Sequence, residues 1–484
     1  MASLVLALAA CGGPAAKPDA AIDAPPDVAV DADTHVTGTW IDTYYETNGS
    51  VKVPSCTSAP VAIVVDPNTA QFTSYTGSCQ SDGTFKLNTP QLASYYLRAG
   101  GELFATTAHS GLDLSDDHLG RPDVASAVGV DLTLDLSNLV TWANGDLLVA
   151  FSANTGFSQS LVFSSSAPAP GDTAVSATTP WLGYQLDSSK SDDLQIFQLA
   201  THQTTGGLAY VSLDRSYGAA PLTMALNTPA RVPASGTDAF AAPTQSQSFL
   251  AVDAGSFDTF ASIATPSTAV RTIGATIYAS PTPDTLPSPP LVSFSQNSTG
   301  LTTLNFGNVR FGDPFPAGWQ RRVRVDESFV TSYTFNGATG SLSADVTYAV
   351  PFATAQTGTL AAPLGPPTQV TIDGVGAFSA DTISQTPVIA WSPPSVGVPT
   401  DYEITAFEVH GNGAILTFVP VLRLVVSDAT SVRIPSGYML GQRQYVLEVT
   451  SRLRVGIDPP LTPFHMGMKS ATAGVLTALV NTAF

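Results

Sequence analysis

The chain has only five lysines among its 484 residues, and Asp, Glu, Lys and Arg together make up 12% of it. An ordinary soluble domain carries about 25%. Exposed helix faces are built from Lys, Glu, Arg, Gln, Ala and Leu, whose side chains lose little freedom there. Ser, Thr, Gly and Pro stand in their place, with 39 Gly and 37 Pro. Short strands and frequent turns use those residues, and long helices do not. With 44% apolar residues available for cores, the expected class is all-β, in tandem sandwiches. At roughly 150 residues per domain, the length allows about three folded units. The net charge is −19, of which −17 lies in the first 300 residues. Such a surface repels phosphate backbones, which argues against nucleic-acid partners, and attracts divalent cations.

Residues Ser3 to Ala10 form an apolar run ending in Leu8-Ala9-Ala10-Cys11-Gly12. It is too short to span a bilayer, which takes about 20 residues, but it suits the core of a signal peptide. No Lys or Arg precedes it. Small residues before a Cys resemble the lipobox of bacterial lipoproteins. The resemblance implies a signal peptide over residues 1–11 that ends at a lipidated Cys11. It also implies export and lipid anchoring at the cell envelope, with Gly12 favouring the outer membrane and cell surface. Residues 12–35 follow, with Asp19, Asp23, Asp27 and Asp31 spaced by four among Ala and Pro. That tract has too little apolar surface to offset its ordering entropy, so a disordered tether is expected. Exported chains meet oxidising conditions, and Cys56 and Cys79 are expected to pair. The rival is a pair of zinc-ligating thiolates, but two Cys without matching His make a poor zinc site.

Three stretches follow the tether. Residues 36–121 hold short runs rich in Val, Ile, Tyr, Phe and Thr, with turn signals such as Asp66-Pro67-Asn68 and Ser81-Asp82-Gly83. Val36-Thr37-Gly38, Ala59-Pro60-Val61, Asp82-Gly83-Thr84-Phe85 and Tyr96-Leu97 resemble carboxypeptidase-regulatory-like (prealbumin-like) domains. That resemblance implies a structural or binding module without catalysis. Residues 122–365 alternate clearly at 132–136 and 207–213, and are read as one or two β-sandwiches, with a possible division near Pro243. Residues 366–484 carry Trp391 before a Pro-rich turn, and Tyr445, Leu447 and Val449 on one face of a strand. This spacing resembles a fibronectin type III domain, an immunoglobulin-like sandwich. The resemblance implies that Trp391 is its buried Trp and that Tyr445 forms its tyrosine corner. Gly441 stands where that family has Pro. Residues 470–480 are expected to supply the last strand, although their spacing also fits a helix.

The chain lacks His-Glu-x-x-His, Gly-x-Ser-x-Gly, Gly-x-x-x-x-Gly-Lys and Ser-x-x-Lys. Its six His show no metal-ligand spacing, and each reads as a loop or strand-surface residue. The densest acidic cluster, Asp113, Asp116, Asp117 and Asp123, could hold Ca²⁺, the one cofactor the sequence suggests. It lacks the EF-hand order, and a solvated turn between domains is the simpler account. In the run from Trp319 to Asp326, Arg322, Arg324 and Asp326 share one strand face. That reads as the wet side of an antiparallel sheet, with a glycan or phosphate site using Trp319 as the rival. The expected function is a non-catalytic, lipid-anchored surface protein that binds a protein or glycan or acts as a spacer. The alternative is an extracellular hydrolase or carbohydrate-binding protein whose working domain lies in residues 122–365.

Overall fold

A computed structural model describes residues 35–483 except 57, 67–68, 90–93, 126–129, 165, 205, 219–221, 225–229, 233–245, 268–269, 286 and 428. Cys11, the tether as far as residue 34 and the possible division near Pro243 lie outside the described residues. The fold is all-β. Among the described residues, the α-helices are Ala254–Asp258, Ala261–Ala264 and Phe352–Ala355, none longer than five residues.

His35, counted above with the tether, opens the first strand, His35–Thr39, which pairs antiparallel with Thr84–Asn88. These two join Ser78–Cys79 and Leu112–Asp113 in one sheet. Facing it are β1 (Val61–Val65), β2 (Phe72–Thr76), β3 (Tyr95–Ala99) and β4 (Glu102–Thr106). Ala62, Leu97 and Phe104 meet Val36, Phe85 and Leu87 between the two sheets. Gly38 is required where the chains cross, since a Cβ there would lie 2.2 Å from the Leu112 carbonyl oxygen. The apolar run Val61-Ala62-Ile63-Val64 does not alternate because both faces of its sheet are covered. Val61, Ile63, Tyr96 and Leu103 belong instead to the core of the carboxy-terminal unit.

The middle region holds two cores. In the first, Val130–Ser137, Ala174–Trp181 and Ala230–Val232 form a sheet over Leu147–Ser152, Phe157–Ser160, Gln195–Gln203 and Ala209–Gly218. Leu132, Leu134, Trp181 and Ile196 are buried between the layers. In the second, Ser246–Val252, Leu304–Phe311 and Thr359–Leu360 pack on β5 (Val270–Ser280), β6 (Gln320–Phe335) and β7 (Ala338–Pro351).

The carboxy-terminal unit is a two-sheet β-sandwich. Thr368–Ile372, Val388–Ser392 and Ser431–Arg433 form one sheet with the short strand Val375–Gly376. The other contains β8 (Asp401–Asn412), β9 (Ile415–Val426), β10 (Gln444–Val455) and β11 (Lys469–Leu476). Residues 469–476 are therefore a strand. Trp391 is buried edge-on against Tyr402. Tyr445 is fully buried, and its Oη accepts the Leu440 backbone N–H at 2.8 Å, closing a tyrosine corner without the proline.

These units are not separate beads. The sheet passes from β5 through β6, β7, β11, β10, β8 and β9 to β4, β3, β1 and β2. The first middle unit joins it where Val211 and Ser212 pair with Ser293 and Val292.

Cys56 and Cys79 are disulfide-bonded, with Cα atoms 5.7 Å apart. The bond closes a loop of 23 residues, worth about 3 kcal/mol of unfolded-state entropy. Replacing both by Ala should lower the stability of the amino-terminal unit by about that amount, measured by denaturant unfolding. An unchanged midpoint would show that the bridge contributes nothing.

Candidate functional site

From β5 through to β9 the joined sheet has one apolar and one polar face, because side chains alternate along each strand. On β6, Val323 and Val325 enter the second middle core while Arg322, Arg324 and Asp326 point the other way. On β10, Tyr445, Leu447 and Val449 enter the carboxy-terminal core while Glu448, Thr450 and Arg452 point the other way. Asp345 and Thr347 of β7, Ser470 and Thr472 of β11, Glu403 of β8 and Arg423 of β9 continue the polar face. Pro283, Thr285, Pro287, Ser288, Pro290 and Met466 complete its lining. The result is a groove of about 630 Å³ with a backbone-bonded floor.

A ladder of ion pairs crosses that face. Arg423 binds Glu102 of β4, and its Nη2 donates to Glu403 Oε2 at 3.0 Å. Arg452 Nη1 donates to the same oxygen at 2.6 Å, and its Nε lies 3.0 Å from Asp401 Oδ1. Arg454 Nε donates to Asp401 Oδ2 at 2.9 Å, and Arg454 also binds the carbonyls of Pro463 and His465. Burial opposes ionisation of Glu403, but Arg452 and Arg423 outweigh it and hold its carboxyl below the usual range. Glu448 has no basic partner among the described residues. Burial, with Asp345 and Glu403 nearby, pushes its pKa up to about 8. Burial also raises Asp326, against the pull of Arg324. Gly474 is bare for a reason: a Cβ there would lie 2.4 Å from Glu448 Oε1.

Two buried polar atoms on the groove lining lack partners among the described residues. They are Arg322 Nε, in a residue only 2% exposed, and Asp345 Oδ1. Arg322 Nη2 donates to the Met468 carbonyl at 3.1 Å. Arg324 is freer, with a side chain 51% exposed and its nearest carboxylate, Asp326, 3.9 Å away.

Trp319 does not accompany these arginines. It stacks on Phe315 at 5.5 Å and meets Phe151 edge-on inside the second middle core. Its neighbour Arg321 explains the turn, gripping both oxygens of Asp313 at 2.7 and 2.8 Å.

The four acidic residues of the 113–123 loop go to different partners. Asp113 lies against His465, and Asp116 donates its backbone N–H to Asp42 Oδ1 at 3.0 Å. Asp117 accepts the Thr282 hydroxyl at 2.9 Å, and Asp123 binds Arg121 and Lys190. Among the described residues, no group of three or more His, Cys, Asp or Glu is placed to hold a metal ion.

His465, read from sequence as a surface residue, is a junction between units. Its Nε2 is 3.8 Å from Asp113 Oδ2 of the amino-terminal unit, and its Nδ1 is 3.0 Å from Asp284 Oδ2 of the middle unit. The side chain is 19% exposed. Asp113 and Asp284 together push the imidazole up to about 10, against burial. His118 is held similarly: Asp42 lies 3.3 Å from its Nε2, and Tyr44 stacks on the ring.

No protein-family model matches the chain, and no curated protein matches it. Among solved structures it is similar to the chicken CNTN1 FN1–FN3 domains, at 11% identity and a TM-score of 0.14, covering 80% of this chain and 94% of that one. It is similar to a tetra-tandem repeat from the extending region of a large adhesion protein, at 12% identity and a TM-score of 0.12, covering 91% and 99%. It is also similar to the four N-terminal Ig domains of Dscam1 isoform 4.44, at 10% identity and a TM-score of 0.11, covering 87% and 91%.

His465 gives the junction a pH dependence. Its folded pKa is raised above the ordinary value of 6.5, so its stabilising contribution is whole below about 6.5 and is lost as pH rises toward 10. The melting temperature should fall between about pH 7 and about pH 10 more steeply in the native chain than in His465→Gln. Parallel curves would contradict the assignment.

Proposed function

We propose that the chain is an exported, non-catalytic binding protein, held at the cell envelope through a lipid on Cys11, with the groove as its ligand site. The observation that carries the reading is the groove itself, a polar face of one continuous sheet to which two units contribute strands. A surface assembled in this way is suited to recognition, because its side chains stand on hydrogen-bonded strands and lose little freedom when a ligand arrives. The prealbumin-like reading of residues 36–121 makes that unit a support, with Glu102 bracing Arg423 at the groove's end. Among the described residues, no helix is long and apolar enough to cross a membrane.

One observation favours a second reading. The Glu448 carboxyl, raised to about 8 beside Asp345 and Glu403, has the character of a general acid. A hydrolase working in this groove would release reducing ends from a polysaccharide, and Glu448→Gln would stop it.

The binding reading is tested on cells that display the chain over a panel of immobilised polysaccharides and matrix proteins. Palmitate should label the native chain and not Cys11→Ala, which should leave the cells. Arg324→Ala should stay on the cells but lower retention by about tenfold. Retention equal to the native chain would remove the groove from the account. Labelling of Cys11→Ala would remove the anchor.

A further inference from the structure

We propose that the groove binds a neutral oligosaccharide, an assignment that rests on the binding reading above and names its ligand class. The first argument is charge. The lining holds four guanidiniums (Arg322, Arg324, Arg423, Arg452) and four carboxylates (Asp326, Asp345, Glu403, Glu448). Glu448, raised to about 8, is largely protonated near pH 7, so the two sets differ by about one charge and neither a polyanion nor a polycation gains much net attraction on entering. A phosphate or sulfate group would face the carboxylates, and an ammonium group the arginines.

The second argument is what the lining lacks. Arg322 Nε is a buried donor without an acceptor, and Asp345 Oδ1 is a buried acceptor without a donor. A hydroxyl meets both needs, because it donates one hydrogen bond and accepts others. Neighbouring hydroxyls on one ring also match the two-pronged geometry of a guanidinium or carboxylate. Thr276 and Thr450 add hydroxyls of the same dual kind, and Tyr278 adds an aromatic ring.

The third argument is shape. A peptide bound by strand addition needs a free sheet edge, whereas this groove lies on the face of paired strands. Pro283, Pro287, Pro290 and Met466 give the lining an apolar part, beside a floor of charged and hydroxylated side chains, which is the mixed character that a sugar ring with its hydroxyls presents. A volume of about 630 Å³ lies within the range of small-ligand sites.

The test is calorimetric titration of the whole chain with neutral gluco-, manno-, galacto- and xylo-oligosaccharides. Uronate and sulfated oligosaccharides, glycerol and free monosaccharides run in parallel. A neutral oligosaccharide should bind with an affinity that changes little between about 50 and about 500 mM salt. Glycerol and single sugars should bind more weakly. Arg324→Ala and Asp345→Asn should each weaken binding by about tenfold, with unchanged circular dichroism. Charged saccharides binding in preference, with steep salt dependence, would overturn the assignment. So would neutral binding that both substitutions leave intact. If no saccharide binds but Arg324→Ala still lowers retention on the panel described above, the ligand class fails and the binding reading stands. If neither assay responds to the substitution, both fail.

Discussion

Four residue pairs, Val346–Ala473 through Ala349–Ser470, join β7 of the middle region to β11 of the carboxy-terminal unit. Three more, Leu424–Leu103 through Val426–Ala105, join β9 to β4 of the amino-terminal unit. Once those pairs form, the strands share one pleat, and alternation along each strand must agree with its neighbour's. A slip of one residue at β7–β11 would turn Thr472 and Ser470 toward the core and Ala471 and Ala473 toward the groove. Register at these seams therefore fixes which side chains meet on the polar face. The hydroxyls of Thr347 and Thr472, 2.7 Å apart across the seam, are a direct product of it.

The ion-pair ladder follows from the same constraint. Asp401, Arg452 and Arg454 are nearly without solvent contact, and a charge so placed is costly unless it is paired and hydrogen-bonded. Alternating signs from Glu102 to Arg454 give each of these charges an opposite neighbour. The carbonyls of Pro463 and His465 take further guanidinium donors, so the 462–465 loop is positioned by the ladder and in turn sets His465 between its two carboxylates. Where the pattern breaks, at Glu448, Asp345 and Arg322, bonding capacity remains for a ligand.

Much of this was legible from residues alone. Scarce charge and abundant Gly, Pro, Ser and Thr announced an all-β chain, and the alternation around Tyr445 placed Glu448 and Thr450 opposite the core. The Arg322-Val323-Arg324-Val325-Asp326 run marked one wall of the groove as a polar face. What could not be read was the partner of that wall, because Glu403, Glu448 and Arg452 lie over 70 residues away and meet it only through β7–β11 pairing. A usable signal was present: in a chain so poor in charge, Glu448, Arg452 and Arg454 sit at even spacing on one strand. Trp319, the aromatic of the rival reading of that run, is directed inward by the turn that Arg321 and Asp313 hold. His465 gave no local signal, since both of its carboxylates come from other units.

The units are joined by sheet hydrogen bonds and do not hang as independent modules. Native-state amide hydrogen exchange reads this directly at residues 424–426 and 470–473. If the seams are part of the folded sheet, these amides exchange as slowly as those in the interiors of β6 and β10. If they exchange as freely as loop amides while β6 and β10 stay protected, the seams are open. The continuous polar face would then not exist as described.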